Sequence, residues 1–442
     1  MSLSTQPYKG ARDFYPQDKR QQKHLFAKMR EVCERFGYEE YDAPILESVE
    51  LYLAKSGEEI VNEQTYAFED RGGRSVVIRP EMTPTVSRMV AAKRQELAYP
   101  LRWYSIPNLW RYERPQKGRL REHWQLNVDL FGVADTSAEL EIIMVADALL
   151  KSFNAKHDMY IIKLNSRKFI DHVLHHYLGL DAVEAHSIAK LIDRMHKMDR
   201  AEFIAQADAL CSPHERAAGT VEKLLDVLDA KRFTQLPQEL QAHPGIVSLK
   251  AMIEQLSAAG ITNTEFDVTL MRGFDYYTDI VFEVFDNHPD NNRSMMGGGR
   301  YDGLVGLFGA EPVPTVGFGL GDVTLAEFLK GHDLLPDMHP ETDVYVVLAG
   351  DSSLAAQKPI AELRDMGLNV AVDLSGRKLG DQIKAADKKG IAFVLVIGQK
   401  ELESEQYTLK NLSSGAEERH GLERIVSIVK DHRARDDREE EL

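Results

Sequence analysis

Cysteine is nearly absent: the 442 residues hold only Cys33 and Cys211, far apart and too few for a disulfide framework or a four-ligand zinc site. No window approaches the ~18 consecutive apolar residues of a membrane span. The opening Met1-Ser2-Leu3-Ser4-Thr5-Gln6-Pro7 lacks the charged-then-apolar order of a secretory signal. These absences give the expectation of a soluble, cytoplasmic protein with no membrane partner. Positive charge is also in deficit, with 54 Lys and Arg against 70 Asp and Glu and a net charge of −16. Taken alone, that excludes a nucleic-acid binder working through an overall basic surface. Glycine (30) and proline (17) are too scarce for a disordered or fibrous chain, and 43% hydrophobic with 28% charged residues is an ordinary globular composition. At roughly 100 to 200 residues per domain the length predicts two to four domains, with three as the central value.

Leu25, Phe26, Met29, Val32, Cys33 and Phe36 recur at helical spacing, and Gly37 follows where a left-handed cap is wanted. Cys33 falls in that stripe as a small packed hydrophobe rather than a nucleophile. Between Pro100 and Gly132 the period becomes two: Trp124, Leu126, Val128 and Leu130 alternate with His123, Gln125, Asn127 and Asp129, a strand with one apolar and one polar face. Arg102 to Glu113 is a second extended run, and Arg114 to Leu120 joins the two as a long basic hairpin loop. Thr136-Ser137-Ala138-Glu139 has capping-box spacing ahead of the apolar run Ile142 to Leu150. From about Asp171 to Gly260 the pattern is helical, an inserted or separate module, and extended character returns near Phe266. From Asp343 strands (344–349, 368–373, 391–397) alternate with helices (354–366, 381–389, near 422–429). That order indicates a small α/β domain with a mainly parallel sheet, behind a boundary near Leu334 to Pro340.

Charge is unevenly spread. Arg111 to Arg121 holds five basic residues and one acid, and guanidinium forks give bidentate, permanently charged hydrogen bonds to phosphate oxygens. By itself the loop also reads as a solvated basic turn. With the polar strand face beside it, it reads as a site for a small polar cation plus a nucleotide, Asp129 holding a positive or N–H-bearing group. A second cluster pairs Arg272-Gly273-Phe274-Asp275-Tyr276-Tyr277 with Gly297-Gly298-Gly299-Arg300-Tyr301-Asp302-Gly303. A glycine run more often marks a turn, but it also lets a ligand approach the backbone closely. Neither P-loop nor Gly-x-Gly-x-x-Gly spacing is present, so an ATP site needs another architecture. His172, His175 and His176 cluster without a companion Cys or a His-Glu-x-x-His arrangement, and read as surface helix residues; no metal ligand is assigned.

Taken in order, these segments resemble the histidyl-tRNA synthetase family of class II aminoacyl-tRNA synthetases over nearly the whole chain. Gly37 to Pro44 resembles the class II dimer motif, Arg111 to Gly132 the second motif, and Arg272 to Tyr277 with Gly298 to Asp302 the two histidine-specific signatures. The resemblance implies an α+β fold. A six-stranded antiparallel catalytic sheet with flanking helices would be split between residues 1–170 and 261–333. A helical insertion would occupy 171–260, an anticodon-binding α/β domain 343–432 and a charged tail 433–442. It further implies a homodimer that joins L-histidine to ATP, with Mg2+ accompanying the nucleotide, giving histidyl-adenylate and pyrophosphate, and then transfers histidine to tRNA(His).

Carried over by position, the resemblance gives Glu81 and Thr83 the substrate ammonium and Gln125 the amino-acid backbone end. Asp129, Tyr277 and Tyr301 read the imidazole, and Tyr276 and Arg272 are counted among the histidine-binding residues. Arg111 grips the α-phosphate, and Arg272 stabilises charge there as the carboxylate attacks. Glu113 and Arg121 place ATP, with His123 and Thr324 at the adenine. Attack at phosphorus builds negative charge on the equatorial oxygens, so two fixed guanidinium groups can supply most of the electrostatic catalysis without a general base. Three positions depart from the family: Thr324 replaces an arginine that stacks on adenine, His123 a common Phe, and Asp129 a common Glu. The sequence is that of a divergent branch. The competing reading is a non-catalytic, histidine-binding or regulatory relative, such as the paralogue associated with ATP phosphoribosyltransferase. Such a chain would be expected to lose the catalytic arginines and the C-terminal domain, whereas Arg111, Arg272 and an α/β segment to about residue 430 are present here.

Overall fold

The computed structural model describes residues 3–53, 64–116, 118–271, 276–291 and 293–441, with side chains as far as residue 435. The chain divides into two compact units, Met1–Asp13 with Gln22–Leu335, and Phe14–Gln21 with Pro336–Leu442. In the first, the strands are β1 Glu39–Glu40, β2 Leu46–Ser48, β3 Tyr66–Glu69, β4 Ser75–Ile78, β5 Leu101–Ser105, β6 Asn108–Trp110, β7 Glu122–Phe131, β8 Tyr160–Ser166, β9 Thr264–Phe266, β10 Ile280–Asp286, β11 Ser294–Arg300 and β12 Thr315–Gly321. Among the described residues one sheet has nine strands in the order β1-β5-β7-β12-β11-β10-β8-β9, with β6 paired to β7 off that path. The six strands from β5 through β8 are antiparallel at every step, the catalytic sheet that the resemblance implied. The short β1 and β9 add parallel edges. Strands β2, β4 and β3 form a separate small antiparallel sheet.

The alternation along β7 explains its place at the centre. Its apolar side chains, Leu126, Val128 and Leu130, join one core with Leu25, Met29, Val32 and Cys33 of the helix Pro16–Arg35 and with Ile142, Ala146 and Leu149 of the helix Ser137–Ser152. Each such fully buried aliphatic side chain contributes about 1.5 to 3 kcal/mol. Burial pushes the Cys33 thiol up to about 12, which leaves it inert. Gly37, at φ +79°, ends the first helix.

Two local expectations changed. The extended run from Arg102 is interrupted at Ile106-Pro107, because proline has no N–H for the ladder, and gives β5 and β6 rather than one strand. Thr136 to Glu139 marks the start of Ser137–Ser152, yet no capping box forms. Asp135 Oδ1 accepts the Ser137 N–H at 2.9 Å, and Glu139 turns into the core to meet Arg300. A buried guanidinium outcompetes a backbone N–H for that carboxylate.

Residues 171–260 lie in the first unit and are helical, with Asp181 and Ser212 forming capping boxes. His175 and His176 are exposed on the π turn Val173–Tyr177. His172 is half-buried, its ring 5.2 Å from His176 and 4.5 Å from His243. In the second unit the strands are β13 Val344–Leu348, β14 Val370–Val372, β15 Phe393–Ile397, β16 Tyr407–Asn411 and β17 Glu417–His420, ordered β14-β13-β15-β16-β17. The first three are parallel; β16 and β17 add an antiparallel hairpin absent from the sequence reading. The closing helix runs Leu422–Glu441, longer than read, and the side chains of 436–442, most of the charged tail, lie outside the described residues.

Candidate active site

The polar face of β7 floors a cleft of about 300 Å³. Asp129, Asn127, Gln125 and His123 follow one another along it at two-residue steps, so the floor is ~20 Å long at 3.3 Å per residue. Depth comes from glycine on the neighbouring strand. In register, Asp129 faces Gly317, Asn127 faces Gly319 and Gln125 faces Gly321. A Cβ on Gly317 would lie 2.2 Å from Asp129 Oδ1, and one on Gly319 would lie 2.3 Å from Gln125 Nε2. Across β12, Gly297 and Gly299 pair with Gly319 and Gly317. The glycine run is therefore strand, not turn. Glycine weakens a strand interior, but here any side chain would occupy the space that the polar residues of β7 need.

Asp129, only 3% exposed, stands at one end. The Tyr301 hydroxyl donates a short hydrogen bond to its Oδ1, while Oδ2 is buried and has no hydrogen-bond partner among the described residues. Burial pushes the carboxyl up to about 7, against the opposing effect of Tyr301. Tyr276 walls this end, its ring 4.8 Å from Tyr277 and 5.6 Å from Tyr301. Its hydroxyl donates to Glu81 Oε2 at 3.4 Å. Glu81 is buried, and Thr83 beside it opens the helix Thr83–Ala92. Arg79 fixes this corner: it donates to the Ala43 oxygen at 2.6 Å, the Asn108 oxygen at 3.2 Å and Asp42 Oδ1 at 3.1 Å.

The other end is cationic. Arg111 Nε donates to the Pro80 oxygen at 2.9 Å, which fixes the guanidinium in the cleft wall; its η nitrogens have no partner among the described residues. Glu113 pairs with Arg119 at 2.8 Å. His123 is pushed down to about 3, by burial first and then by Arg111, Arg12 and Arg119, so it is a neutral ring at physiological pH. Thr324 Oγ1 sits 3.0 Å from both the Met295 and Gly321 oxygens.

The cleft thus gathers Glu81, Thr83, Arg111, Glu113, His123, Gln125, Asp129, Tyr276, Tyr277, Tyr301 and Thr324. Arg121 is not in its wall. The Arg121 guanidinium lies 4.0 Å over the Tyr112 ring and donates to the Tyr8 hydroxyl at 3.1 Å, bracing the basic loop from behind. Arg272, with Gly273, Phe274 and Asp275, lies outside the described residues, as does Lys117.

Sequence reasoning missed the supports. Arg300, adjacent to Tyr301, makes a buried two-pronged pair with Glu139 at 2.7 and 2.6 Å and donates to the Val133 and Asp135 oxygens at 3.1 and 2.9 Å. Asp322 is buried where β12 ends; it accepts the Trp124 N–H at 2.9 Å and Arg12 at 2.7 Å, locking the start of β7. An acid in the first turn of a helix after a glycine-ended strand was the available signal for Asp322. Nothing in the sequence alone pointed from Glu139 to Arg300.

A family model described as histidyl-tRNA synthetase matches residues 10–323, and one described as anticodon binding domain matches residues 343–432. A curated histidine-tRNA ligase of Leptospira biflexa is 44% identical over 414 residues, 93% of this chain and 94% of that protein. One from Thermoplasma volcanium is 34% identical over 411 residues, covering 93% and 95%. The crystal structure of histidyl-tRNA synthetase from Nostoc sp. PCC 7120 has the same fold, with a TM-score of 0.80 at 24% identity and coverage of 98% of this chain and 100% of that one. A cleft with a buried acid at one end and a fixed arginine at the other, on a sheet of this topology and with relatives of this extent, places the chain in the histidyl-tRNA synthetase family.

Proposed function

We propose that the cleft activates L-histidine with ATP, forming histidyl-adenylate and pyrophosphate, and that the protein then transfers the histidyl group to the 3′ end of tRNA(His). The observation that carries this reading is Asp129: a buried carboxylate, one oxygen taken by Tyr301 and the other without a partner, is an acceptor waiting for an N–H. An imidazole N–H supplies it. A site whose buried polar groups would otherwise stay unpaired rejects analogues lacking that donor far more strongly than an apolar pocket does. Glu81, Thr83 and Gln125, which line the same cleft, are assigned the ammonium and backbone end of the amino acid. The ~20 Å floor suits an imidazole and a purine joined through an acyl phosphate.

The substrate carboxylate is its own nucleophile. Arg111, held by the Pro80 oxygen, stabilises charge growing on the phosphorus-bound oxygens, and Arg272 is assigned the complementary position by the resemblance. Mg2+ would arrive with the nucleotide phosphates as part of the substrate. Among the described residues no cluster of three or more His, Cys, Asp or Glu is arranged for a metal, and Glu113 is engaged by Arg119. Glu113 and the neutral His123 ring are assigned to the nucleotide, with Thr324 at its far end and Arg121 bracing the loop.

In domain terms, residues 1–170 and 261–333 form the catalytic part, 171–260 a helical insertion, 343–432 the anticodon-binding domain and 433–442 the charged tail. Contact with tRNA is local: Gly376 to Lys389 carries five basic residues against two acids within a protein of −16. Homodimerisation is proposed on the apolar side chains exposed around the first motif and its neighbours, Ile45 at 46%, Leu46 at 46%, Phe68 at 49% and Leu307 at 46%. A cytoplasmic location is proposed on the two free cysteines. Among the described residues no helix is long and apolar enough to cross a membrane.

The test is amino-acid-dependent exchange of pyrophosphate into ATP, run with all twenty amino acids. Histidine alone should support exchange, and Arg111→Ala should lower it about 10²- to 10³-fold. No exchange with histidine, or exchange driven by another amino acid, refutes the proposal.

A further inference from the structure

The polar face of the sheet does not stop at β7. Tyr41, one residue past β1, donates its N–H to the Tyr104 oxygen at 2.8 Å and carries the parallel register of β1 with β5 one step further, beside Ser105. Ser105 is paired in register with Asn127, and Trp103 with Asp129. Side chains two residues apart on a strand share a face, so Tyr41, Ser105 and Trp103 lie on the face that carries Asp129. The Tyr41 ring packs on that of Trp103, with centroids 5.7 Å apart. The two residues after Tyr41 are fixed by Arg79, which donates to Asp42 Oδ1 at 3.1 Å and to the Ala43 oxygen at 2.6 Å.

The Tyr41 ring is half-buried, but its hydroxyl is fully buried, as is that of Ser105. Neither hydroxyl completes a hydrogen bond of good geometry among the described residues, and Asp129 Oδ2 has none. A buried hydroxyl in this condition costs about 1 to 3 kcal/mol, which phenylalanine or alanine would avoid. Two donors and an acceptor in one such patch complete one another. Burial, and then the Asp129 carboxylate, push the Tyr41 hydroxyl well up, against Ser105 and Arg79, so it keeps its proton and is a donor at physiological pH. The other ionisable groups at this pair are Tyr301 after β11, Tyr276 ahead of β10 with Glu81 bonded to it, and Arg79 and Asp42 beside Tyr41.

Resting on the reading of the cleft as a histidine site, we propose that Tyr41 is a positioning residue for Asp129: its hydroxyl donates to Oδ2 of the ionised carboxylate, and Ser105 supports that hydroxyl from β5. A carboxylate oxygen has two lone pairs, so Oδ2 accepts Tyr41 and the imidazole N–H together. Tyr301 grips the acid at Oδ1 and Tyr41 grips it at Oδ2, which fixes the plane of the carboxylate against the ligand. Donation to the carboxylate also favours its ionised form, the form that accepts from imidazole.

Histidine-dependent pyrophosphate exchange tests this in Tyr41→Phe, Ser105→Ala, Asp129→Asn and the double variant Tyr41→Phe with Asp129→Asn, at pH 6.5, 7.5 and 8.5. Tyr41→Phe should raise the KM for histidine about tenfold at pH 7.5, while the KM for ATP moves less than about twofold. Without the donor the carboxyl titrates higher, so the ratio of the variant's KM for histidine to the parent's should be larger at pH 6.5 than at pH 8.5. Comparing the two proteins at each pH cancels the titration of histidine itself. Added to Asp129→Asn, Tyr41→Phe should change the KM for histidine less than about twofold, because its effect passes through the carboxylate. Ser105→Ala should give a smaller rise than Tyr41→Phe. An unchanged KM for histidine in Tyr41→Phe, the same effect with and without Asp129→Asn, or an equal rise in the KM for ATP overturns the inference while leaving the activation reaction intact. Absence of histidine-dependent exchange in the unmodified protein overturns the underlying reading, and this inference with it.

Discussion

Replacing Asp129 by Asn should make the empty protein more stable at alkaline pH while removing its grip on histidine. Burial holds this carboxyl at about 7, against 3.8 in a solvated acid. Between those values the folded state binds a proton that the unfolded chain has released, so the stability contributed by this position is present at low pH and is lost as pH rises through 7. At 1.36 kcal/mol per pH unit, the ionised carboxylate costs the folded, ligand-free protein ~4 kcal/mol at pH 8 and less than ~2 kcal/mol at pH 5. Asn is close in shape to the protonated acid, can still accept from Tyr301 and carries no charge to desolvate. Urea unfolding of both proteins at fixed protein concentration, at pH 5, 6.5 and 8, should give a stability gain for Asp129→Asn that grows with pH. The KM for histidine in pyrophosphate exchange should rise by about 10- to 100-fold, the worth of a hydrogen bond to a charged group. A variant less stable than the parent at pH 8, or a difference that does not change between pH 5 and pH 8, would show that Asp129 is not held as a strained buried acid.

The remaining predictions concern what gives the cleft its shape. Gly317→Ala puts a Cβ 2.2 Å from Asp129 Oδ1 and 2.8 Å from the Val128 backbone oxygen, so it should cost about 1 to 3 kcal/mol in urea unfolding and abolish histidine-dependent exchange. Gly303→Ala, where a Cβ meets nothing within 4 Å, should do neither and serves as the control; equal behaviour of the two would remove the argument from close approach. Glu139→Gln removes the buried partner of the Arg300 guanidinium, leaving only the more exposed Asp302 carboxylate at 3.3 Å, and should destabilise the protein by about 3 kcal/mol. A change below 1 kcal/mol in the same unfolding assay would mean that Asp302 alone suffices as the counter-charge of Arg300.

How much of this was legible follows from range. The period-two alternation from His123 to Leu130 is a local pattern, and it revealed both the strand and the polar face that floors the cleft. The matching alternation of Gly317, Gly319 and Gly321 with Phe318 and Leu320 was equally local. Its meaning became available only once the register set each glycine opposite a polar residue of β7. The hairpin of β16 and β17 was lost because its strands are short and half-exposed, so no apolar run announces them.

Arg300 and Glu139 are 161 residues apart, and each carries a plausible local role, as part of a glycine-rich signature and as a capping-box acid. The local role of Glu139 was the wrong one. A residue that touches a ligand must be polar where the fold wants apolar, and so stands out from the hydrophobic pattern. A residue that holds it in place is polar for a partner elsewhere in the chain, and leaves no local trace. Asp129 could therefore be proposed from the polar face of its strand and Tyr301 from the family resemblance, whereas the ion pair beside Tyr301 left no such signal. Substitutions that preserve every ligand-facing side chain can still disable this cleft through Glu139, Asp322 or Gly317.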